Sequence, residues 1–183
     1  MEYPNWFNYT AKANFEKFLT LKGKSNVLQL GVYTGDASLW MLQNLGEIEL
    51  TDVDTWQGSD EEEHKAMDFE DVYKVYLDKI KDYKVNIKRA TTTHYLVMQY
   101  GAGKVFDFIY IDADHTTVGV LMDAELSWPL LKSGGIMAFD DYVWGPDMPA
   151  ELTPTLGIDL FLARHEDEYE TLVINEQVWI KKK

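Results

Sequence analysis

Two short acidic stretches hold the residue types best suited to chemistry. Asp112-Ala113-Asp114-His115 follows the apolar run 108–111, and Asp140-Asp141-Tyr142 follows a second such run, 135–139. Carboxylates are natural ligands for a hard divalent cation, and an imidazole beside a ligand cleft can take up a proton. A third constellation lies upstream. Gly31 and Gly35 bracket a turn in Gly31-Val32-Tyr33-Thr34-Gly35, and Asp54 follows one β-α-β unit later. Glycines in such a turn let the backbone approach a ligand, and a helix start supplies free N–H groups. A carboxylate at the end of the next strand can accept hydrogen bonds from ribose hydroxyls. Asp52 competes for that role, but Asp54 sits closer to the strand end. The spacing is not the dinucleotide fingerprint G-x-G-x-x-G, because Tyr33 stands where its second glycine belongs.

These residues need strands that deliver them to one edge. The run 108–111 is apolar at every position, as expected of a strand buried on both faces of a parallel sheet. In open α/β sheets ligands bind beyond the carboxyl ends of the strands, so four carboxylates and a histidine would meet there. The remaining pattern supplies the scaffold. Helical spacing predicts a helix over 5–21, stopped by Gly23, then a strand over 27–31 and a helix over 37–45 closed by Gly46. A strand over 48–53 ends at Asp54-Thr55-Trp56. Ser59 and Glu62 form a capping box, with the acids 60–63 at a helix start, and Phe69, Val72, Tyr73, Tyr76, Leu77 and Ile80 make a helical stripe. A strand over 85–87 and a helix over 92–100 follow. After the 108–111 strand comes a helix with Val120, Leu121, Ala124, Trp128 and Leu131 inward, ended near Pro129. Residues 132–135 turn into the next strand. A loop rich in glycine and proline covers 144–157, a short helix 158–165, and a closing hairpin pairs 169–174 with 177–180.

Composition narrows the function. A chain of 183 residues with 46% hydrophobic residues can build one substantial core, so 1–183 reads as a single domain. The absence of cysteine excludes disulfides, thiolate metal sites and a cysteine nucleophile, and fits a cytoplasmic setting. No apolar run is long enough to span a bilayer, and the first residues begin no signal peptide. A net charge of −14 repels nucleic-acid phosphates and anionic lipid, so neither nucleic acid nor membrane is an expected partner. A small neutral or cationic ligand, or an anion held through a metal, suits this charge better. The oligomeric state stays open, a homodimer included.

The segments 27–35, 53–59, 109–115, 128–136 and 139–142 together resemble the class I S-adenosylmethionine-dependent methyltransferases, over nearly the whole chain. Within that family the acid pairs are similar to those of bacterial small-molecule and sugar O-methyltransferases. The resemblance implies a Rossmann-like α/β fold of seven strands, mostly parallel, with helices on both faces and a C-terminal antiparallel hairpin. It implies methyl transfer from S-adenosylmethionine to a small-molecule acceptor, at a hydroxyl. Gln29, Gly31, Tyr33, Gly35, Asp54, Trp56 and Asp112 would meet the cofactor. Asp112, Asp140 and Asp141 would hold Mg²⁺, and Asp114 or His115 would be the base. Gln29 departs from the family, which carries an acid there for the ammonium group of the cofactor; an amide oxygen can still accept that hydrogen bond. Two alternatives remain: a methyltransferase-like module that binds the cofactor without catalysis, and an NAD-dependent oxidoreductase. Trp56, Tyr142 and Trp144 fall in loops at the same edge, where aromatic rings can stack on a ligand or simply pack.

Overall fold

The computed structural model describes residues 3–59 and 62–183, without the side chains of Glu62 and Glu63. Seven strands form one sheet in the order β3-β2-β1-β4-β5-β7-β6. They are β1 (Ser25–Leu30), β2 (Ile48–Asp54), β3 (Asn86–Arg89), β4 (Phe106–Ile111), β5 (Leu131–Phe139), β6 (Tyr169–Ile174) and β7 (Val178–Lys182). The first five run parallel, and β7 is antiparallel to both β5 and β6. The helices are α1 (Trp6–Thr10), α2 (Lys12–Phe18), α3 (Asp36–Asn44), α4 (Glu62–Lys65), α5 (Phe69–Ile80), α6 (Thr92–Gln99), α7 (Thr117–Ser127) and α8 (Pro154–Arg164). This is the predicted Rossmann-like sheet with its closing hairpin.

Strand pleating sorts the core. Leu28, Leu30, Ile109, Ile111, Met137, Phe139, Val178 and Ile180 pack on one face with α6, α7 and α8. Their alternates Val27, Phe108, Tyr110, Ala138 and Trp179 pack on the other with α1, α2 and α3. Phe15 centres that second layer, with its ring edge-on to Phe7, Trp40, Phe108, Tyr110 and Trp179. Such edge-to-face contacts add to area burial. Asn14 beside it donates to Asn175 (3.0 Å) and Gln177 (2.9 Å), tying α2 to the terminal hairpin.

Several predicted boundaries move. The helix expected over 5–21 is two short segments meeting at Ala11 and ending at Phe18; the Asn14 N–H bonds three residues back to the Ala11 carbonyl, tightening the chain there. Gly46 follows the Leu45 cap of α3, as expected, but without the left-handed backbone of a glycine cap. Of the proposed capping box, the Glu62 side chain and the acids 60 and 61 lie outside the described residues; the Ser59 hydroxyl lies 2.7 Å from His64 Nδ1. The stripe beginning at Phe69 has its own cap, Asp68, which accepts from the Glu70 and Asp71 amides. Residues 132–135 belong to an irregular β5 rather than to a turn before it. Helix α8 starts four residues early, at Pro154 in its first turn, where proline is favoured.

Candidate active site

Register aligns the strand tips. Leu30 lies beside Val53 on one side and Ile111 on the other, and Ile111 lies beside Phe139. The residues that follow, Gly31, Asp54, Asp112 and Asp140, therefore emerge along one edge. The strand order reverses between β1 and β4, the place where α/β sheets bind ligands. Among the described residues three non-glycine residues have positive φ, and all three lie on this edge: Tyr33 (53°), Trp56 (47°) and Asp141 (56°). Strained backbone of this kind concentrates at functional sites.

On the β1–β2 half the protein's own groups take up the polar atoms. One Asp54 oxygen accepts from the Val32 (2.7 Å) and Tyr33 (3.0 Å) amides, and the other from the Trp56 amide (2.7 Å). Gln29 is buried beneath the turn; its amide donates to the Gly31 carbonyl (2.9 Å) and its oxygen accepts from Ser38 (3.0 Å). The glycines answer to packing. A Cβ on Gly31 would stand 1.7 Å from the Asp112 carbonyl oxygen, and one on Gly35 2.5 Å from the Tyr76 ring. Tyr33 stacks on Trp6 at 4.7 Å. Trp56, expected at the cofactor, is 1% exposed, donates to the Tyr33 carbonyl and packs on Tyr73 and Tyr76, so its ring belongs to the core. Beneath them Asp52 is fully buried; its carboxyl is pushed up to about 7 by burial, against a hydrogen bond from the Tyr76 hydroxyl (2.9 Å).

The β4–β5 half is built differently. Asp112, His115 and Asp141 each offer one ligand atom, all within 4.8 Å of one another. His115 Nε2 lies 3.1 Å from an Asp141 oxygen and 3.9 Å from an Asp112 oxygen. Burial, then the neighbouring Asp140 charge, holds the Asp112 carboxyl well above its ordinary range. Asp140 stands one layer back, accepting from the Tyr110 hydroxyl and the Asp141 amide, with its own carboxyl raised to about 6, chiefly by burial. Asp114 turns away from the trio: it accepts from the Thr116 amide (2.9 Å) and lies over Gly119, at the start of α7. Of the two expected bases, His115 is the one that meets the acids. Two carboxylates and an imidazole, each partly open to solvent, fit a divalent cation, which would favour the ionised form of the crowded acids.

Beyond the trio a cavity of about 330 Å³ opens in the 142–155 loop, lined by Tyr142, Trp144, Pro146, Met148 and Thr153 among others. The Trp144 ring lies 4.9 Å from the His115 ring. Sequence reasoning had no signal for two features of the site: Tyr110 reaching Asp140, which needs the β4–β5 register, and Asp52 buried beneath Tyr76.

A family model described as a methyltransferase domain matches residues 28–142, from β1 through the residues after β5. The chain belongs to that family. The methyltransferase domain is 28% identical over 134 residues to "Probable caffeoyl-CoA O-methyltransferase 3" of Dictyostelium discoideum, covering 71% of this chain and 49% of that protein. A second relative from the same organism, "Probable caffeoyl-CoA O-methyltransferase 1", is 29% identical over 132 residues, covering 69% of this chain and 52% of that protein. The chain thus spans about half the length of the curated relatives it matches. Among solved structures, the O-methyltransferase from Bacillus cereus in complex with SAH aligns at TM-score 0.65 and 15% identity, over 87% of this chain and 74% of that one. MycE from the mycinamycin pathway, in complex with Mg, SAH and mycinamycin VI, aligns at 0.63 and 16%, over 100% and 50%. At these identities the structures show a shared fold.

Proposed function

We propose that this domain transfers the methyl group of S-adenosylmethionine to a hydroxyl of a small-molecule acceptor, with a divalent cation at Asp112 and Asp141. The observation that carries the reading is the meeting of Asp112, Asp141 and His115 at the strand tips of a methyltransferase-family chain. The carboxylate oxygens suit a hard cation such as Mg²⁺, and the imidazole is left to take the proton. Bound there, the cation would lower the pKa of an acceptor hydroxyl. His115 Nε2 removes the hydroxyl proton, the oxygen forms a bond to the methyl carbon, and the carbon–sulfur bond breaks with its electron pair passing to sulfur. The products are S-adenosylhomocysteine, the methyl ether and one proton, held on His115. Asp140, fixed by Tyr110, orients the Asp141 backbone.

The Dictyostelium relatives, named as probable caffeoyl-CoA O-methyltransferases, and the Mg and SAH in the MycE complex support this reading. The occupied Asp54 and Gln29 favour a second one, a module whose cofactor side has closed on itself. Calorimetric titration of S-adenosylhomocysteine, with and without Mg²⁺, separates the two. The first reading requires micromolar binding, and turnover that EDTA removes while binding persists. No heat at millimolar ligand would leave the second.

A further inference from the structure

The acceptor side of the edge has a charge pattern the fold does not require. Between Lys104 and Arg164 the only lysine or arginine is Lys132. Lys132 sits at the start of β5, at the far end of the sheet from the trio, with its ammonium 2.8 Å from both oxygens of Asp107. The loop and helix that carry the cavity instead add Asp147, Glu151 and Asp159 to the strand-tip acids. Toward the glycine turn, Lys79 and Arg89 are engaged by Asp36 and Glu70. Phosphate recognition depends on cationic side chains or a row of free amides. The cavity is lined by Tyr142, Trp144, Pro146 and Met148 together with Thr153 and Thr155, and the Trp144 ring lies 4.9 Å from the His115 ring, tilted by 49°.

Resting on the methyl-transfer reading above, we infer that the 142–155 cavity seats a flat, uncharged ring bearing the reacting hydroxyl, and that it rejects phosphate-bearing acceptors, coenzyme A thioesters included. A volume of about 330 Å³ holds a single substituted ring, and Trp144 supplies the wall that sets its hydroxyl near His115. The phosphates of a thioester, trailing away from the Asp112–Asp141 site, would meet Asp147, Glu151 and Asp159 in a stretch whose one lysine, Lys132, is paired with Asp107. In this respect the chain departs from its Dictyostelium relatives, which are named as caffeoyl-CoA O-methyltransferases.

The test uses two probes with the same hydroxylated ring, methyl caffeate and caffeoyl-CoA, titrated into the full chain loaded with S-adenosylhomocysteine and Mg²⁺. Methyl caffeate should bind at least tenfold more tightly at low salt, and the gap should narrow as salt screens the acids. Trp144→Ala should weaken methyl caffeate about tenfold, the scale of one ring-stacking contact, and leave S-adenosylhomocysteine affinity unchanged. Met148→Trp, which narrows the cavity mouth from an exposed position, should do the same if Trp144→Ala fails to fold. Equal or tighter binding of caffeoyl-CoA overturns the inference. So does S-adenosylhomocysteine binding with no response to methyl caffeate at millimolar concentration, or methyl caffeate binding that neither substitution alters. Failure of the methyl-transfer reading shows separately, as absence of S-adenosylhomocysteine binding at the outset.

Discussion

The two halves of the active edge solve opposite problems. Around Gly31 and Asp54 the chain meets its own needs: three backbone amides fill one carboxylate, an amide side chain braces the turn, and the glycines make room for neighbouring backbone and ring. Around Asp112 and Asp141 like charges are brought together with one imidazole among them. The first half is arranged for rigidity. The second holds an electrostatic surplus that a ligand would relieve. Structure and chemistry are thus divided between two adjacent pairs of strands.

That division is open to attack by substitution. The largest effect should come from Gly31→Ala, which forces a side chain into left-handed backbone and against the Asp112 carbonyl. A cost of roughly 4 kcal/mol, or about 10 °C in Tm, is expected from overpacking and strain combined. A Tm within two degrees of the parent would show that the turn yields easily, and the contrast would fail. Next, Asp112→Asn should leave Tm at pH 8 unchanged or higher, because one of the crowded carboxylates is gone, while turnover falls at least 100-fold, about 2.7 kcal/mol. A marked loss of Tm with turnover retained would place Asp112 on the structural side.

The smallest effect sharpens the contrast from below. Asp52 has its carboxyl raised to about 7, so between about pH 4 and pH 7 the folded state keeps a proton that the unfolded chain has released. Stability from this group is full at low pH and is lost as pH rises through 7. Asp123, also near 7 because it is buried on α7, works in the same direction. Asp52→Asn should flatten the fall in denaturation free energy between pH 5 and pH 8 by about 2 kcal/mol. An unchanged pH slope would mean that the carboxyl ionises freely where it lies.

Much of the fold was legible because its signals are local. The unbroken apolar run 108–111 reads as a strand buried on both faces, and two such strands ending in acids bring Asp112 and Asp141 to a common edge once they pair. What escaped depends on tertiary partners. Nothing near Trp56 in the chain shows that Tyr73 and Tyr76, from α5, will bury it. Nor does Asp54 carry a mark that the Val32 and Tyr33 amides will claim its oxygens. Asp114 and His115 are two residues of similar promise in one motif. They part only because the start of α7 offers the Thr116 amide to the first. Boundaries depend on local caps in the same way: Asp68 gives α5 a start of its own by accepting from the Glu70 and Asp71 amides.

The last strand of the chain is not the last strand of the sheet. β7 lies between β5 and β6, and the Tyr142 amide, one residue past the acid pair, bonds to the Glu176 carbonyl. Strand β5 therefore keeps a bare edge until the final hairpin arrives. For a chain emerging from the ribosome, the glycine-turn half can settle early, while the half that bears Asp140 and Asp141 waits for residues 169–182. Synthesis order and catalytic readiness are linked by that one exchange of strands.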